Sequence, residues 1–400
     1  MWSFKVTRDL ERPSVENPTS NLQPSLNITM STPTQAPRIS PAFTVNPPLL
    51  NSANPWATTY DDLKALYDCP YTGAVTIRTS LWDEFKQDPK LHQYTFFSAE
   101  KGHAASKVDT SLAEGRGEVL PGETSSLNTL GYSPISFPDY LKVLKNMSES
   151  GQLDKVPAKP FIVSVTGTVF QVAACCSHLL ELQNHPDRWR WKPDGEYGDL
   201  ELMMEINLSC PNIPDKPPPA YDAVELFEYV QAISEAKQLA SHTDGKTLHV
   251  GIKTPPYTYG GQFQNLMRVL EESCAFPGGC PISFVTATNT LGSCLVLDEV
   301  GECALGSANG MGIGGLAGNA LHPLALGNVK TIRRSLDESL CEELKRVVVI
   351  GIGGVSDSAG FKRMSKVGAG AVGVGTALGR EGVGVFEKIA KGLSEEDLKL

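Results

Sequence analysis

The chain alternates short, continuous apolar runs with longer stretches in which apolar residues recur every three or four positions. Such runs are typical of parallel strands buried on both faces, and the longer stretches are typical of amphipathic helices. The predicted strands are residues 47–51, 74–78, 161–166, 203–207, 248–253, 283–287, 347–351 and 371–374. The predicted helices are residues 61–67, 138–149, 169–183, 222–240, 262–273, 323–336, 357–366 and 384–392.

Eight strand–helix units predict an α/β protein of the (β/α)8 type, a TIM barrel, and the alternative is an open doubly wound sheet. Polar residues and glycines favour the barrel, because they stand just past successive strands: Asn51, Arg78, Asn207, Lys253, Asn289, Gly353 and Gly375. The carboxyl ends of the strands carry the active sites of barrel enzymes.

Three inserts, which we expect over the C-terminal face, interrupt this alternation at residues 79–126, 185–199 and 292–315. Loops of this length in a compact domain are often lids or partner surfaces. A solvated surface excursion is an equally good interpretation of the second insert. The third contains a short apolar run, residues 294–297, and predicts a hairpin.

Residues 1–41 are rich in Pro, Ser, Thr and Asn and have no apolar periodicity. They predict a disordered segment that precedes one barrel domain at residues 42–400. A mitochondrial transit peptide is the alternative, but Asp9, Glu11 and Glu16 conflict with its acid-poor composition. Met30 is an alternative start residue, and the sequence alone does not decide between Met1 and Met30.

The net charge of −10 argues against nucleic acid as a partner, because phosphate binding needs a basic surface. The nine cysteines are scattered without metal-ligand spacing. They predict a reduced cytoplasmic chain with free thiols and no metal site. The longest apolar runs reach about half the length of a membrane-spanning helix, which argues against a membrane protein.

The densest chemical signal is the hexapeptide at residues 207–212, in which Asn207, Cys210 and Asn212 follow a predicted strand. An asparagine side chain donates and accepts hydrogen bonds at once, which suits a planar imide or a carboxylate. A cysteine on a loop can act as a general base where its surroundings favour the thiolate. The alternative is a tight turn with a buried thiol.

The hexapeptide resembles the active-site loop of the class 1 dihydroorotate dehydrogenases. The resemblance continues in chain order through residues 251–257, 288–290, 312–315, 351–354 and 373–377 and covers about residues 46 to 392. Any one glycine motif is a weak signal, whereas the ordered series is a strong one. A serine in place of Cys210 would indicate the membrane-linked class 2 enzymes instead.

This resemblance implies oxidation of dihydroorotate to orotate by a flavin mononucleotide (FMN) enzyme, with fumarate or a similar soluble acceptor and a homodimeric assembly. Cys210 would be the base that removes the C5 proton, while C6 gives a hydride to flavin N5. The residues implied for the substrate are Asn128, Leu130, Gly131, Asn207, Asn212, Asn289 and Thr290. Those implied for the flavin are Ser52, Ala53, Arg78, Asn128, Asn207, Lys253, Gly314, Gly315, Gly353, Gly354, Gly375 and Thr376.

The glycine pairs also indicate a phosphate site by their own chemistry, since backbone amides without side chains can close on a dianion after a strand. Neither pair has the spacing of a dinucleotide or nucleoside triphosphate motif. Lys253 ends a strand that is otherwise apolar, and a buried lysine is costly unless it faces a partner or a site.

The sequence departs from the family pattern at Arg78, where the family usually has lysine, and at Asn54, where it has glycine. The insert at residues 79–126 is also longer than the family's loop. These departures leave two alternatives open. One is a related FMN oxidoreductase acting on another cyclic or unsaturated carbonyl compound, and the other is a non-catalytic flavin-binding paralogue.

Overall fold

The structure, a computed structural model, describes residues 40–104, 119–155, 157–184, 200–210, 212, 217–240, 248–308 and 310–398. The chain divides into two units, Met1–Arg38 and Ile39–Leu400, and every described residue belongs to the second. The predicted disordered segment therefore lies outside the described residues except for its last two, and it stays a prediction, as does the domain boundary. The insert at residues 185–199 also lies outside them.

Strands and helices alternate along the described chain. The strands are β1 (Leu49–Asn51), β2 (Val75–Thr76), β3 (Tyr94–Phe97), β4 (His103–Ala104), β5 (Ser125–Asn128), β6 (Phe161–Val165), β7 (Leu202–Asn207), β8 (His249–Thr254), β9 (Ile282–Ala287), β10 (Leu291–Cys294), β11 (Leu297–Asp298), β12 (Gly314–Gly318), β13 (Val348–Ile352) and β14 (Ala371–Val374). The helices are α1 (Tyr60–Asp68), α2 (Phe137–Glu149), α3 (Val169–Asn184), α4 (Ala223–Ala240), α5 (Gly260–Ser273), α6 (His322–Glu338), α7 (Glu342–Lys345), α8 (Ser358–Lys366), α9 (Thr376–Glu381) and α10 (Gly384–Lys391).

Eight parallel strands form the main sheet in the order β1–β14–β13–β9–β8–β7–β6–β2. A parallel bridge between Leu50 and Ala74 joins its two edge strands, so the sheet closes on itself. The predicted (β/α)8 TIM barrel is confirmed, and the open doubly wound sheet is wrong. All eight predicted strands are present, although the second is shorter than the predicted residues 74–78.

Each predicted helix is present within two residues of its expected bounds, while α7 and α9 were not predicted. Two helices begin one residue later than predicted because an aspartate precedes them as the N-cap. Asp222 accepts from the amides of Val224 and Glu225, and Asp357 accepts from that of Gly360. Among the helices that the structure describes, none is long and apolar enough to cross a membrane.

Alternate residues of the barrel strands pack into two separate apolar clusters. In β13, Val348, Ile350 and Ile352 belong to a small cluster with Met203 and Phe284. Their neighbours Val347 and Val349 belong to the larger cluster that joins the strands to the helices. Successive side chains of a strand point to opposite faces, so the small cluster fills the barrel interior and the large one surrounds it.

The first and third inserts build a second sheet of four antiparallel strands in the order β10–β12–β5–β3. The pairing of β10 with β12 agrees with the predicted hairpin at residues 292–315. Strands β11 and β4 form a separate parallel pair. The Ser126 hydroxyl lies 2.8 Å from that of Thr376, directly after β14, so the second sheet lies against the carboxyl ends of the barrel strands.

The cysteines are not all free. Cys274, at the end of α5, forms a disulfide with Cys341, just before α7, and their Cα atoms lie 6.8 Å apart. The prediction of free thiols throughout is wrong for this pair. The two residues are 67 positions apart in the chain and meet only through helix packing, which no local pattern reveals.

Candidate active site

A cavity of about 1020 Å³, measured with its open mouth, lies where the second sheet meets the carboxyl ends of the barrel strands. The predicted site residues that line it are Ser52, Ala53, Arg78, Asn128, Leu130, Gly131, Asn207, Cys210, Asn212, Lys253, Asn289, Thr290, Gly353, Gly354, Gly375 and Thr376.

Two predicted flavin-site residues, Gly314 and Gly315, do not line the cavity. They lie in β12, and Gly315 stands opposite Asn128 of β5. The carbonyl of Gly315 accepts a hydrogen bond from the Asn128 side chain at 3.1 Å. Gly315 therefore orients a cavity residue, while Ala317 and Gly318 of the same strand form the wall.

Three cavity asparagines are held by hydrogen bonds to their neighbours. The Nδ2 atom of Asn212 donates to the Asn128 side chain at 2.9 Å and to the carbonyl of Leu130 at 2.8 Å. Asn207 donates to the hydroxyl of Thr79 at 2.9 Å and accepts from that of Ser209 at 2.7 Å. Because these bonds fix the carboxamides, the polar wall is organised before any ligand binds.

Two buried cations face the same space. Arg78 follows β2 and is 4% exposed, and Lys253 in β8 is 3% exposed. Both terminal nitrogens of Arg78 lack a hydrogen-bond partner among the described residues. Burial lowers the pKa of Arg78 to about 10. A charged group buried without a partner is costly, so the cavity is suited to an anionic ligand that supplies the missing acceptors.

Cys210 follows β7 at the edge of the cavity, and its thiol is free. Burial raises the pKa of the Cys210 thiol above its ordinary value. The nearby backbone amide of Asn212 and the positive charge of Lys253 oppose that rise in pKa, as do the neighbouring Tyr132 hydroxyl and the charge of Arg78. The protein therefore surrounds this thiol with groups that favour the thiolate.

The glycines at the ends of β12, β13 and β14 line the cavity and approach neighbouring protein atoms more closely than a Cβ would allow. Gly353 and Gly354 have φ values of 137° and 71°, a region that favours glycine. A Cβ atom on Gly354 would lie 2.7 Å from the carbonyl oxygen of Gly318. Exposed backbone next to the polar cavity fits the phosphate of a flavin nucleotide.

His322, which the sequence did not single out, holds this turn. Its Nδ1 donates to the carbonyl of Gly353 at 2.6 Å, and Arg363 donates to its Nε2 at 2.9 Å. A carbonyl only accepts, so these two bonds require the neutral ring. Burial lowers the pKa of His322, which agrees with that state.

An aromatic part of the wall was also missed. Trp56, Tyr94 and Tyr132 line the cavity, and the Trp56 ring makes an edge contact with Tyr94 at 5.3 Å between centroids. Tyr132 directly follows the predicted Asn128–Gly131 segment and could have been found by extending it. Tyr94 lies within an insert, where no motif marks it.

The described residues contain one group of three possible metal ligands: Cys274, Cys341 and Glu343. Two of them form the disulfide and none lines the cavity. The prediction of no metal site stays a prediction.

Glycine turns such as Gly353–Gly354, beside a polar cavity at the carboxyl ends of barrel strands, are typical of cofactor-dependent TIM-barrel enzymes. The family model of dihydroorotate dehydrogenase matches residues 196–396. "Dihydroorotate dehydrogenase (fumarate)" of Trypanosoma cruzi (strain CL Brener) is 31% identical over 271 residues, which cover 68% of this chain and 72% of that protein.

"Putative dihydroorotate dehydrogenase A (fumarate)" of Streptococcus pyogenes serotype M5 (strain Manfredo) is 30% identical over 304 residues, covering 74% of this chain and 82% of that protein. The crystal structure of DHODH in complex with ferulenol from Eimeria tenella matches this chain with a TM-score of 0.58 and 15% sequence identity. The match covers 90% of this chain and 85% of that one, and it supports the fold. The chain belongs to the dihydroorotate dehydrogenase family, a family of flavin-dependent oxidoreductases.

Proposed function

We propose that this protein oxidises dihydroorotate to orotate with FMN as cofactor and fumarate as electron acceptor. The observation that carries the proposal is the position of Cys210, a thiol at the end of β7 in a cavity lined by carboxamides and two buried cations. Family membership and the names of the relatives support the same substrate and acceptor.

The substrate is a cyclic imide that carries one carboxylate, and the cavity offers matching groups. The side chains of Asn289 and Thr290 can each donate and accept, as the ring's N–H and carbonyl groups require, and Asn207 and Asn212 offer the polar atoms that their own hydrogen bonds leave open. Asn128, with the backbone of Leu130 and Gly131, completes this proposed subsite. Arg78 supplies the forked donors that fit a carboxylate in bidentate fashion.

Cys210 is the proposed base and removes the proton from C5 of the substrate. Only the thiolate can accept this proton, and burial raises the thiol pKa. Oxidation should therefore be slower as the pH falls and the thiolate is lost. The backbone amide of Asn212 and the charge of Lys253 favour the thiolate.

The remaining part of the cavity would hold FMN, which would supply the acceptor for the hydride from C6. The backbone around Gly353, Gly354, Gly375 and Thr376 is the proposed phosphate site, supported by the glycine backbone that lines the cavity there. Lys253 is proposed to contact the flavin ring and to favour its reduced, anionic form. Contacts to the ring from Ser52, Ala53, Asn128, Asn207, Gly314 and Gly315 stay predictions of the resemblance.

A second candidate is oxidation or reduction of another cyclic or unsaturated carbonyl compound. One observation favours it: the unpartnered cation in the cavity is Arg78, which is larger and more rigid than the lysine of the family. A larger or differently charged substrate would use the altered pocket. A paralogue that binds flavin without catalysis is the remaining alternative.

Product analysis separates these candidates. The FMN-loaded protein is incubated without oxygen with dihydroorotate and fumarate, and orotate and succinate are quantified by chromatography. We expect equal amounts of both products, and at least about 100-fold slower formation of orotate by the Cys210→Ala variant. Folded, FMN-loaded parent protein that makes no orotate would reject the first candidate.

We also propose a cytoplasmic location and a homodimeric assembly, which the family resemblance implies. Light scattering of the purified protein measures its mass in solution. A mass near 86 kDa, twice the chain mass of 43.1 kDa, supports the homodimer, and a mass of one chain contradicts it.

A further inference from the structure

Tyr132 lies beside the proposed base, Cys210. Both residues line the main cavity and also a second, much smaller pocket, which Thr166, at the end of β6, and Tyr229 line as well. The Tyr132 hydroxyl is close enough to Cys210 and Thr166 for both to affect its pKa. The tyrosine hydroxyl therefore stands beside the thiol at the boundary between two cavities.

The long first insert holds Tyr132 in this place. The ring of Phe85 packs so closely on Gly131 that an added Cβ would lie 2.1 Å from the Phe85 Cζ atom. The same ring makes an edge contact with Tyr132 at 5.8 Å between centroids. On the other side, the amide of Ser133 donates to the carbonyl of Thr79 at 2.8 Å. The insert thus fixes the direction of the tyrosine side chain.

The chemistry of the three neighbouring side chains sets the direction in which they can hydrogen-bond. A thiolate has no proton and can only accept, so Tyr132 must donate to ionised Cys210. The Tyr132 hydroxyl can then accept from Thr166. Burial raises the pKa of Tyr132, so the hydroxyl keeps its proton while the thiol titrates. The remaining groups that face this pair are Arg78, Lys253 and Tyr229.

We propose that Tyr132 is a positioning residue that stabilises the thiolate of Cys210, and that Thr166 orients the Tyr132 hydroxyl for this bond. This inference rests on the proposed role of Cys210 as the base. It also gives the insert that carries Phe85 a function, because Phe85 packs against the ring of Tyr132 and so holds the Tyr132 hydroxyl beside the thiol.

The first test is the pH dependence of flavin reduction by dihydroorotate in Tyr132→Phe, which keeps the ring and removes the hydroxyl. Loss of one hydrogen bond to a charged group should move the profile upward by about one pKa unit. The rate should fall about tenfold on the acidic limb and recover at high pH. A lower rate at every pH, with no shift of the profile, would indicate a merely structural role.

The second test measures the thiol itself without any turnover. Flavin-loaded protein is treated with iodoacetamide over a range of pH, and alkylation of Cys210 and of the exposed Cys303 is followed by mass spectrometry. In Tyr132→Phe the profile of Cys210 should move upward by about one pKa unit, while the rate at Cys303 should equal that of the parent. An unchanged Cys210 profile in folded protein would overturn the inference.

The alkylation test also distinguishes this inference from the proposed function. If Cys210→Ala forms orotate at the parent rate, the proposed base is wrong, whereas the alkylation profile still reports whether Tyr132 stabilises the thiolate. Conversely, an inactive Cys210→Ala with an unchanged alkylation profile in Tyr132→Phe would leave the base in place and reject the role of the tyrosine.

Two further variants complete the series. Thr166→Val removes the partner of Tyr132 and should shift the Cys210 profile in the same direction by less. Tyr229→Phe is the matched control, because its hydroxyl lines the same small cavity but donates to the carbonyl of Gly167 at 2.7 Å. It should leave the Cys210 profile unchanged, and an equal shift in this control would contradict the assignment to Tyr132.

Discussion

Replacing Arg78 with methionine should make the flavin-free protein more stable and the loaded enzyme much less active. Arg78 is 4% exposed, and its two terminal nitrogens have no partner among the described residues. Methionine fills a similar volume without a charge. The two effects have opposite signs because the buried charge destabilises the empty protein but binds an anionic ligand in the loaded enzyme.

The magnitude follows from the pKa of the guanidinium. Burial lowers this pKa from 12.5 to about 10, and each pKa unit corresponds to about 1.4 kcal/mol. The cost is present in full below pH 10 and is relieved only as the pH rises towards 12.5. At neutral pH the charged side chain therefore costs the empty protein about 3 kcal/mol, in line with gains of roughly 1–4 kcal/mol when buried ionic groups are replaced by apolar ones.

The assay is urea unfolding of the flavin-free parent, Arg78→Met and Arg78→Lys at neutral pH. We expect Arg78→Met to raise the free energy of unfolding by about 2–3 kcal/mol. Arg78→Lys is the control, since it keeps the charge and should not gain this stability. In the loaded enzymes, flavin reduction by dihydroorotate should fall at least about 100-fold in Arg78→Met, because a buried anion would lose its partner. It should change within about tenfold in Arg78→Lys.

Equal activity of parent and Arg78→Met, together with lower stability of the variant, would refute the reasoning. It would mean that the guanidinium is paired within the protein in solution. A parent that reduces its flavin slowly with dihydroorotate, and an Arg78→Lys variant that is faster, would favour a different natural substrate.

The remaining predictions concern the base and the cofactor. Cys210→Ala should keep FMN and slow flavin reduction at least about 100-fold, with Cys210→Ser intermediate, as stopped-flow absorbance can measure; parent-like reduction in the alanine variant would make the thiol structural. Flavin reduction in the parent should rise with pH and should keep rising above the ordinary thiol range near 8.5, because burial raises the pKa of Cys210; a flat profile would contradict a thiolate base. Denaturation should release one FMN per chain, and release of FAD would contradict the phosphate site. Gly354→Ala should weaken FMN binding at least about tenfold by fluorescence titration, since a left-handed non-glycine residue costs roughly 1–2 kcal/mol, whereas Gly327→Ala in open space should not.

The barrel and most of the cavity wall could be predicted because their signals are local. Each barrel strand is a run of buried residues, and the residues that follow it face the site whatever lies between the strands. The hexapeptide that contains Asn207, Cys210 and Asn212 is contiguous in sequence, so one motif placed three cavity residues. Order along the chain became proximity in space because parallel strands all end at the same face.

The missed features depend on contacts between distant segments. Trp56 and Tyr94 are 38 residues apart in the chain, and no local sequence pattern near either residue predicts that their rings are in contact. Strand β2 is shorter than predicted because its regular pairing with β6 is limited to Val75 and Thr76. The displacement of Gly314 and Gly315 from the wall follows from the register of β12 against β5, which a glycine motif does not encode.

Oxidation of dihydroorotate by a thiol base and a bound flavin can be tested by anaerobic mixing of the FMN-loaded protein with dihydroorotate, while the flavin absorbance is recorded in a stopped-flow instrument. We expect the oxidised flavin band to disappear within one turnover in the parent and at least about 100-fold more slowly in Cys210→Ala. An oxidised flavin band that dihydroorotate leaves unchanged in the folded, FMN-loaded parent would mean that the protein does not oxidise dihydroorotate.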